Sequence, residues 1–145
     1  MSFPYKRILC PVDFDDTSAT AVKEAGAIAA LCNSSVALLH VVFINPLATE
    51  GFVLAELQES QSEHARNKVA EIAKRLLADR DYEIDIRIGD PAETILAAEA
   101  ELKADLVVMA THGRHGLKRL VIGSVAERVV RESQVPVLTI HGKSS

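Results

Sequence analysis

After Met109 the chain reads Ala110-Thr111-His112-Gly113-Arg114-His115-Gly116-Leu117-Lys118-Arg119-Leu120-Val121-Ile122-Gly123-Ser124. Gly113, Gly116 and Gly123 allow sharp turns and a close approach of backbone to a ligand. Ser124-Val125-Ala126-Glu127 has the form of a capping box, which predicts a helix beginning at Ser124. Unpaired amides at a helix start attract anions, helped by the helix dipole. From Leu106 to Ala126 there are three fixed cations, Arg114, Lys118 and Arg119, two histidines and no acid, in a chain of net charge −4. A phosphate-bearing ligand suits such a stretch. The plainer reading is that the glycines serve turns, the cations are solvated and Ser124 only caps. The spacing is that of neither a Walker A loop nor a dinucleotide-binding G-x-G-x-x-G.

A second candidate lies near the N-terminus, where Pro11-Val12 is followed by Asp13. A carboxylate at the carboxyl end of a strand can accept from ribose hydroxyls or hold a metal. It can equally do no more than fix a turn. His40 sits inside an apolar run and reads as a satisfied core or edge histidine. His64 falls on a helix surface and His141 at the end of the last strand. None pairs with a cysteine or serine as nucleophile and base, and the histidines are too scattered for a metal site. No catalytic group is assigned, because His112 and His115 are at most weak candidates for a general base.

These loops need elements to hold them. Arg7–Val12, Ser35–Ile44, Tyr82–Ile88, Asp105–Ala110 and Pro136–His141 are short, apolar and partly β-branched, and are predicted as strands. The third alternates apolar and polar residues, as an edge strand should; the others read as strands covered on both faces. Between them run helical stripes. Val22, Ala25, Ala29 and Cys32 follow possible caps at Asp15, Asp16, Thr17 and Ser18. Val69, Ile72, Ala73, Leu76 and Leu77 mark a helix beginning in the fifties. Ala92, Ile95, Leu96, Glu99 and Leu102 follow Gly89-Asp90-Pro91, with proline in the first turn. Val125, Val129 and Val130 belong to a fourth helix that ends before Pro136. Asn45–Glu59 reads as a connector and Lys143-Ser144-Ser145 as a tail. The alternation predicts an α/β fold, a doubly wound parallel sheet with right-handed crossovers and helices on both faces. In such sheets a ligand sits beyond the carboxyl ends of the strands where the order reverses, here after the first and fourth strands.

One domain over residues 1–145 is expected from a chain of 145 residues. Hydrophobic residues are 48% and charged residues 25%, so a packed core is expected rather than disorder. Twenty acids against sixteen bases argue against wrapping nucleic acid. Aromatics at 4% argue against a stacking platform for single strands. The longest apolar run, Val36 to Ile44, is too short to span a bilayer, and the N-terminus does not read as a signal peptide. Cys10 and Cys32 match no disulfide or metal spacing and read as buried small hydrophobes. A soluble cytoplasmic protein is the expectation.

Arg7-Ile8-Leu9-Cys10-Pro11-Val12-Asp13-Phe14, Gly89-Asp90-Pro91-Ala92, Asp105-Leu106-Val107-Val108-Met109, Thr111-His112-Gly113-Arg114, Gly123-Ser124-Val125-Ala126-Glu127-Arg128-Val129 and Pro136-Val137-Leu138 occur in that order. Together they resemble the universal stress protein family over almost the whole chain. The resemblance implies a Rossmann-like three-layer sandwich with a five-stranded parallel sheet of order 3-2-1-4-5. It also implies a homodimer paired through the last strands, here Pro136–His141. Nucleotide-binding members carry Gly, two residues, Gly, nine residues, then Gly-Ser or Gly-Thr. Gly113, Arg114–Ile122 and Gly123-Ser124 match, but Ala110 stands where the first glycine belongs. The substitution is costly if residue 110 needs positive φ and tolerable if it is extended. By resemblance Asp13 contacts ribose, Pro11, Val12, Val41 and Met109 border adenine, and Gly113, Gly123, Ser124 and Val125 hold phosphates. Ala110, Arg114 and Gly116 complete the candidate set.

The implied function is that of a stress-response regulatory protein binding ATP or AMP, with Mg2+ as a possible companion, rather than a dedicated enzyme. Slow ATP hydrolysis would be a side activity. A nucleotide-free dimeric module that captures an unidentified protein partner is the alternative, with Ala110 as its support. A hydrolytic or adenylate-forming enzyme finds no nucleophile–base pair to rest on.

Overall fold

The computed structural model describes residues 3–43, 51–111 and 122–141, with residues 51–53 as backbone alone. Among them strands and helices alternate. The strands are β1 (Arg7–Pro11), β2 (Ser35–Val42), β3 (Tyr82–Ile88), β4 (Leu106–Ala110) and β5 (Val137–Ile140). The helices are α1 (Asp16–Cys32), α2 (Gly51–Leu76), α3 (Pro91–Glu101) and α4 (Ser124–Glu132). Every strand pair is parallel, and the sheet order is β3-β2-β1-β4-β5. This is the order that the family resemblance implies.

Side-chain alternation divides the core into two layers. On one face Ile8, Cys10, Val36, Leu38 and Val108 pack with Val22, Ala25 and Ala29 of α1 and Val69 and Ala73 of α2. On the other, Leu9, Ala37, Leu39, Val107 and Met109 meet Ile95 and Ala98 of α3 and Ala126 and Val129 of α4. The strands supply most of the bulk, while the small side chains of Ala25 and Ala29, both fully buried, let α1 lie close against the sheet. Gly26 serves the same end towards the neighbouring α2, since a Cβ there would come within 2.8 Å of Leu77 Cδ2.

The element ends show how the chain turns. Asp105 stays outside β4 because its carboxylate accepts from the amides of Lys6 (2.9 Å) and Arg7 (3.0 Å), fixing the start of β1. Pro136 has no N–H to give, and its carbonyl accepts from Val107 N at 3.0 Å. β3 is an edge strand, as its alternation predicts. Ile84 and Ile86 pack inward, while Arg87 on the polar face pairs with Asp85 and with Glu101 of α3. Burial works against the Arg87 charge, but those hydrogen bonds outweigh it and raise its pKa.

Two expectations need correction. Residues 51–59 are helical rather than connecting chain, for Ala55, Glu56, Leu57 and Gln58 are strong helix formers and extend α2. Cys10 is fully buried, but Cys32, in the last turn of α1, is only partly so.

Candidate functional site

β1 and β4 lie side by side at the point where the strand order reverses. Beyond their carboxyl ends is a cleft of about 480 Å³. Its apolar wall is made by Pro11, Leu39, Val41 and Met109 from the strands and by Pro91 and Ile95 from α3. Its polar groups are Asp13 and Ser18 on the α1 side and Thr111 and Ser124 on the α4 side. The cleft therefore combines an apolar wall with hydrogen-bonding groups from two sides.

The Asp13 end is built by a tight turn. Val12 leaves β1 but still donates to Leu39 O at 2.8 Å, and the Asp13 amide then donates to Ser18 Oγ at 2.9 Å. Asp13 Oδ1 accepts from the Asp15 amide at 3.2 Å, while Asp15 caps α1 by accepting from Ser18 N at 2.8 Å. Those bonds orient the Asp13 carboxylate at the mouth of the cleft. His40 supports the same turn. Its Nδ1 lies 2.8 Å from the Val12 carbonyl, and a carbonyl can only accept, so Nδ1 carries the proton. Its ring stacks on Phe14 at 4.4 Å between centroids, and Lys68 Nζ lies 4.9 Å over that phenyl ring. His40 is thus the satisfied histidine expected, and it also lines the cleft.

At the other end α4 begins at Ser124, as predicted, but the expected capping box does not form. Gly123 is the N-cap and no side chain caps the helix. Ser124 is therefore the first helical residue, and Glu127 is one position too far along to reach back. Glu127 pairs instead with Arg131 one turn later. The amides of the first turn of α4 keep their polarity at the wall of the cleft. Arg128 holds this helix to the start of α3. Glu132 (2.9 Å) is its closest partner, Asp90 lies at 3.5 Å and Glu93 at 3.9 Å, and together they raise its pKa.

Ala110 lies inside β4, in register with Ile140, and the positive-φ residues described are Asn33, Lys103 and Gly89. An extended alanine carries no backbone strain there. Of the sequence candidates, Pro11, Val12, Asp13, Val41, Met109, Ala110, Gly123, Ser124 and Val125 come together around this one cleft. Gly113, Arg114 and Gly116 lie outside the described residues, as do His112, His115, Lys118 and Arg119. Seven lining residues escaped sequence reasoning, among them Leu39, Ile95 and Thr111. Leu39 and Ile95 look like ordinary core, and Thr111 stands beside more conspicuous glycines; its position two residues beyond Met109 on an alternating strand was the available signal.

The model of the universal stress protein family matches residues 4–141. The chain belongs to the universal stress protein family. Universal stress protein MJ0577 of Methanocaldococcus jannaschii is 33% identical over 163 residues, covering all of both chains. Universal stress protein MJ0531 of the same organism is 36% identical over 141 residues, 94% of this chain and 82% of that one. The solved structure of MJ0577 superposes with a TM-score of 0.88 at 34% identity, over 97% of this chain and 99% of the other. A universal stress protein crystallised in complex with cAMP matches with a TM-score of 0.73 at 26% identity, over 94% and 97% of the two chains. Among the described residues of this family member, no three histidine, cysteine or acidic side chains gather as a metal site. No described helix is long and apolar enough to cross a membrane.

Proposed function

We propose that the cleft between β1 and β4 binds an adenine nucleotide, ATP or AMP, and that occupancy regulates a stress-response protein. The observation that carries the reading is the set of chemistries that one cleft brings together. The cleft joins a carboxylate, an apolar wall and an uncapped helix start, the groups that ribose, adenine and phosphate each require. Ribose hydroxyls donate to Asp13. The adenine ring lies between Pro11, Val12, Val41 and Met109. Phosphate oxygens accept from the amides of Ser124 and Val125 beside Gly123, and Gly113, Arg114 and Gly116 are further candidates by the family motif. The relative crystallised with cAMP supports the ligand class. Mg2+ would arrive with ATP on the phosphates. Among the described residues no group in the cleft has the setting of an activated nucleophile, so regulation is favoured over turnover, with weak ATP hydrolysis as a side activity.

The same reading makes the protein a cytoplasmic homodimer paired along β5. That strand is the edge of the sheet, and Leu138 on it is 38% exposed. The nucleotide-free module, which would use the dimer to capture a protein partner, drew its support from Ala110. With that residue extended in β4, the backbone-strain argument for it no longer applies. Isothermal titration of the protein with ATP and with AMP, each with and without Mg2+, tests the proposal. One site per chain for either nucleotide is expected, and heat no greater than dilution for both would overturn it.

A further inference from the structure

Thr111 follows Ala110 at the end of β4, and its backbone is held from both sides. Its amide donates to Ile140 O at 3.0 Å, prolonging the β4–β5 ladder, and its carbonyl accepts from Gly123 N at 2.7 Å. The second bond ties the residue directly to the N-cap of α4. The side chain is fully buried, yet among the described residues Oγ1 finds no hydrogen-bond partner. Buried hydroxyls are nearly always paired, because leaving one unmade forfeits its hydration without return. Ser18 and Ser34, also buried, show the ordinary case, Ser18 Oγ accepting from Asp13 N and Ser34 Oγ donating to Tyr5 O.

Alternation along β4 puts Thr111 on the face of Val107 and Met109, which is the face that α4 covers. Thr111 also lines the cleft, beside Gly123 and Ser124. An unemployed donor and the uncapped start of a nine-residue helix thus meet at one end of the cavity. We infer that the Thr111 hydroxyl is a binding group for an oxyanion, donating to a phosphoryl oxygen that the first turn of α4 also holds. This rests on the nucleotide reading given above and assigns the phosphate end a side-chain donor in addition to its amides. A hydroxyl at that place favours phosphorylated over unphosphorylated nucleosides, since adenosine would leave it unmatched.

The test compares the wild-type protein with Thr111→Val, which keeps the shape and removes the hydroxyl, and Thr111→Ser, which keeps the hydroxyl. Melting temperature without ligand and affinity for AMP, ATP and adenosine are measured for each. The expected result for Thr111→Val is a melting temperature no lower than wild type, with AMP and ATP at least tenfold weaker and adenosine unchanged, a tenfold loss being about 1.4 kcal/mol. Thr111→Ser retains phosphate preference. Wild-type AMP affinity in Thr111→Val, or an equal loss for adenosine, overturns this inference alone. A clearly lower melting temperature without ligand also overturns it, because the hydroxyl would then be engaged within the protein. Failure of the wild-type protein to bind any of the three overturns the nucleotide reading and this inference together.

Discussion

Single side chains set what the cleft can hold. Asp13 is oriented by the Asp15 amide and by the turn that Ser18 closes, so in the proposed complex its carboxylate would meet the ribose with little side-chain freedom left to lose. Asp13→Asn keeps the oxygen that accepts from Asp15 but removes the charge. A hydrogen bond to a charged group contributes about 1.5–3 kcal/mol, so the variant should bind AMP roughly tenfold to a hundredfold more weakly by titration calorimetry. Cys10 behaves in the opposite way, since burial pushes its thiol up to about 12 from an ordinary value of 9.0. The thiolate is the reactive form, so iodoacetamide at about pH 8 should label Cys32 and leave Cys10 intact, as read by peptide mass spectrometry. The raised value also sets a pH dependence. The unfolded thiol ionises near 9.0 and the folded one does not, so this contribution is complete below that pH. Above it, stability should fall by about 1.4 kcal/mol per pH unit until the pH approaches 12, as measured by denaturant titration at about pH 8, 9.5 and 10.5.

Elements decide where those residues go. Strands and helices alike were readable from period-two and period-3.6 patterns, because each has either one apolar face or two to cover. The edge position of β3 followed from Glu83, Asp85 and Arg87 alternating with Ile84 and Ile86. Less legible was the start of α4. Ser124 and Glu127 have the residue types of a capping box, but the chain places the cap at Gly123, and local pattern cannot distinguish registers one residue apart. The start of α2 falls in the fifties as expected, but the connector reading of Asn45–Glu59 overlaps it, since Glu56, Gln58 and Glu59 suit a solvated helix face as well as a loop. The effect of Ala110 required knowing its backbone conformation. Since it is extended, Ala110→Gly should leave AMP affinity within about twofold and, at the last residue of β4, cost no more than the roughly 0.5–1 kcal/mol of a strand interior in denaturant unfolding. On the open side of β5, Leu138→Arg should place a charge in the proposed subunit interface and halve the mass seen by light scattering, while the nucleotide cleft stays competent.

For the molecule as a whole, the cleft's position was predictable and its chemistry only partly so. A doubly wound sheet puts its crevice where β1 and β4 diverge, whatever the side chains are. Sequence motifs located Asp13 and Ser124 around it, but Thr111 became visible only when the sheet register and the Gly123 contact placed a buried hydroxyl there. The central claim is that this crevice recognises adenine nucleotides in the folded protein. Thermal unfolding with ATP or AMP present at about 100 times its dissociation constant measures it most directly. Selective binding to the folded state then adds about 2.7 kcal/mol, or roughly 5–10 °C for a chain of this size. An upward shift of that order with adenine nucleotides, and a much smaller one with GTP and UTP, is the predicted result. An unchanged melting temperature with ATP and AMP up to millimolar concentration would contradict the account.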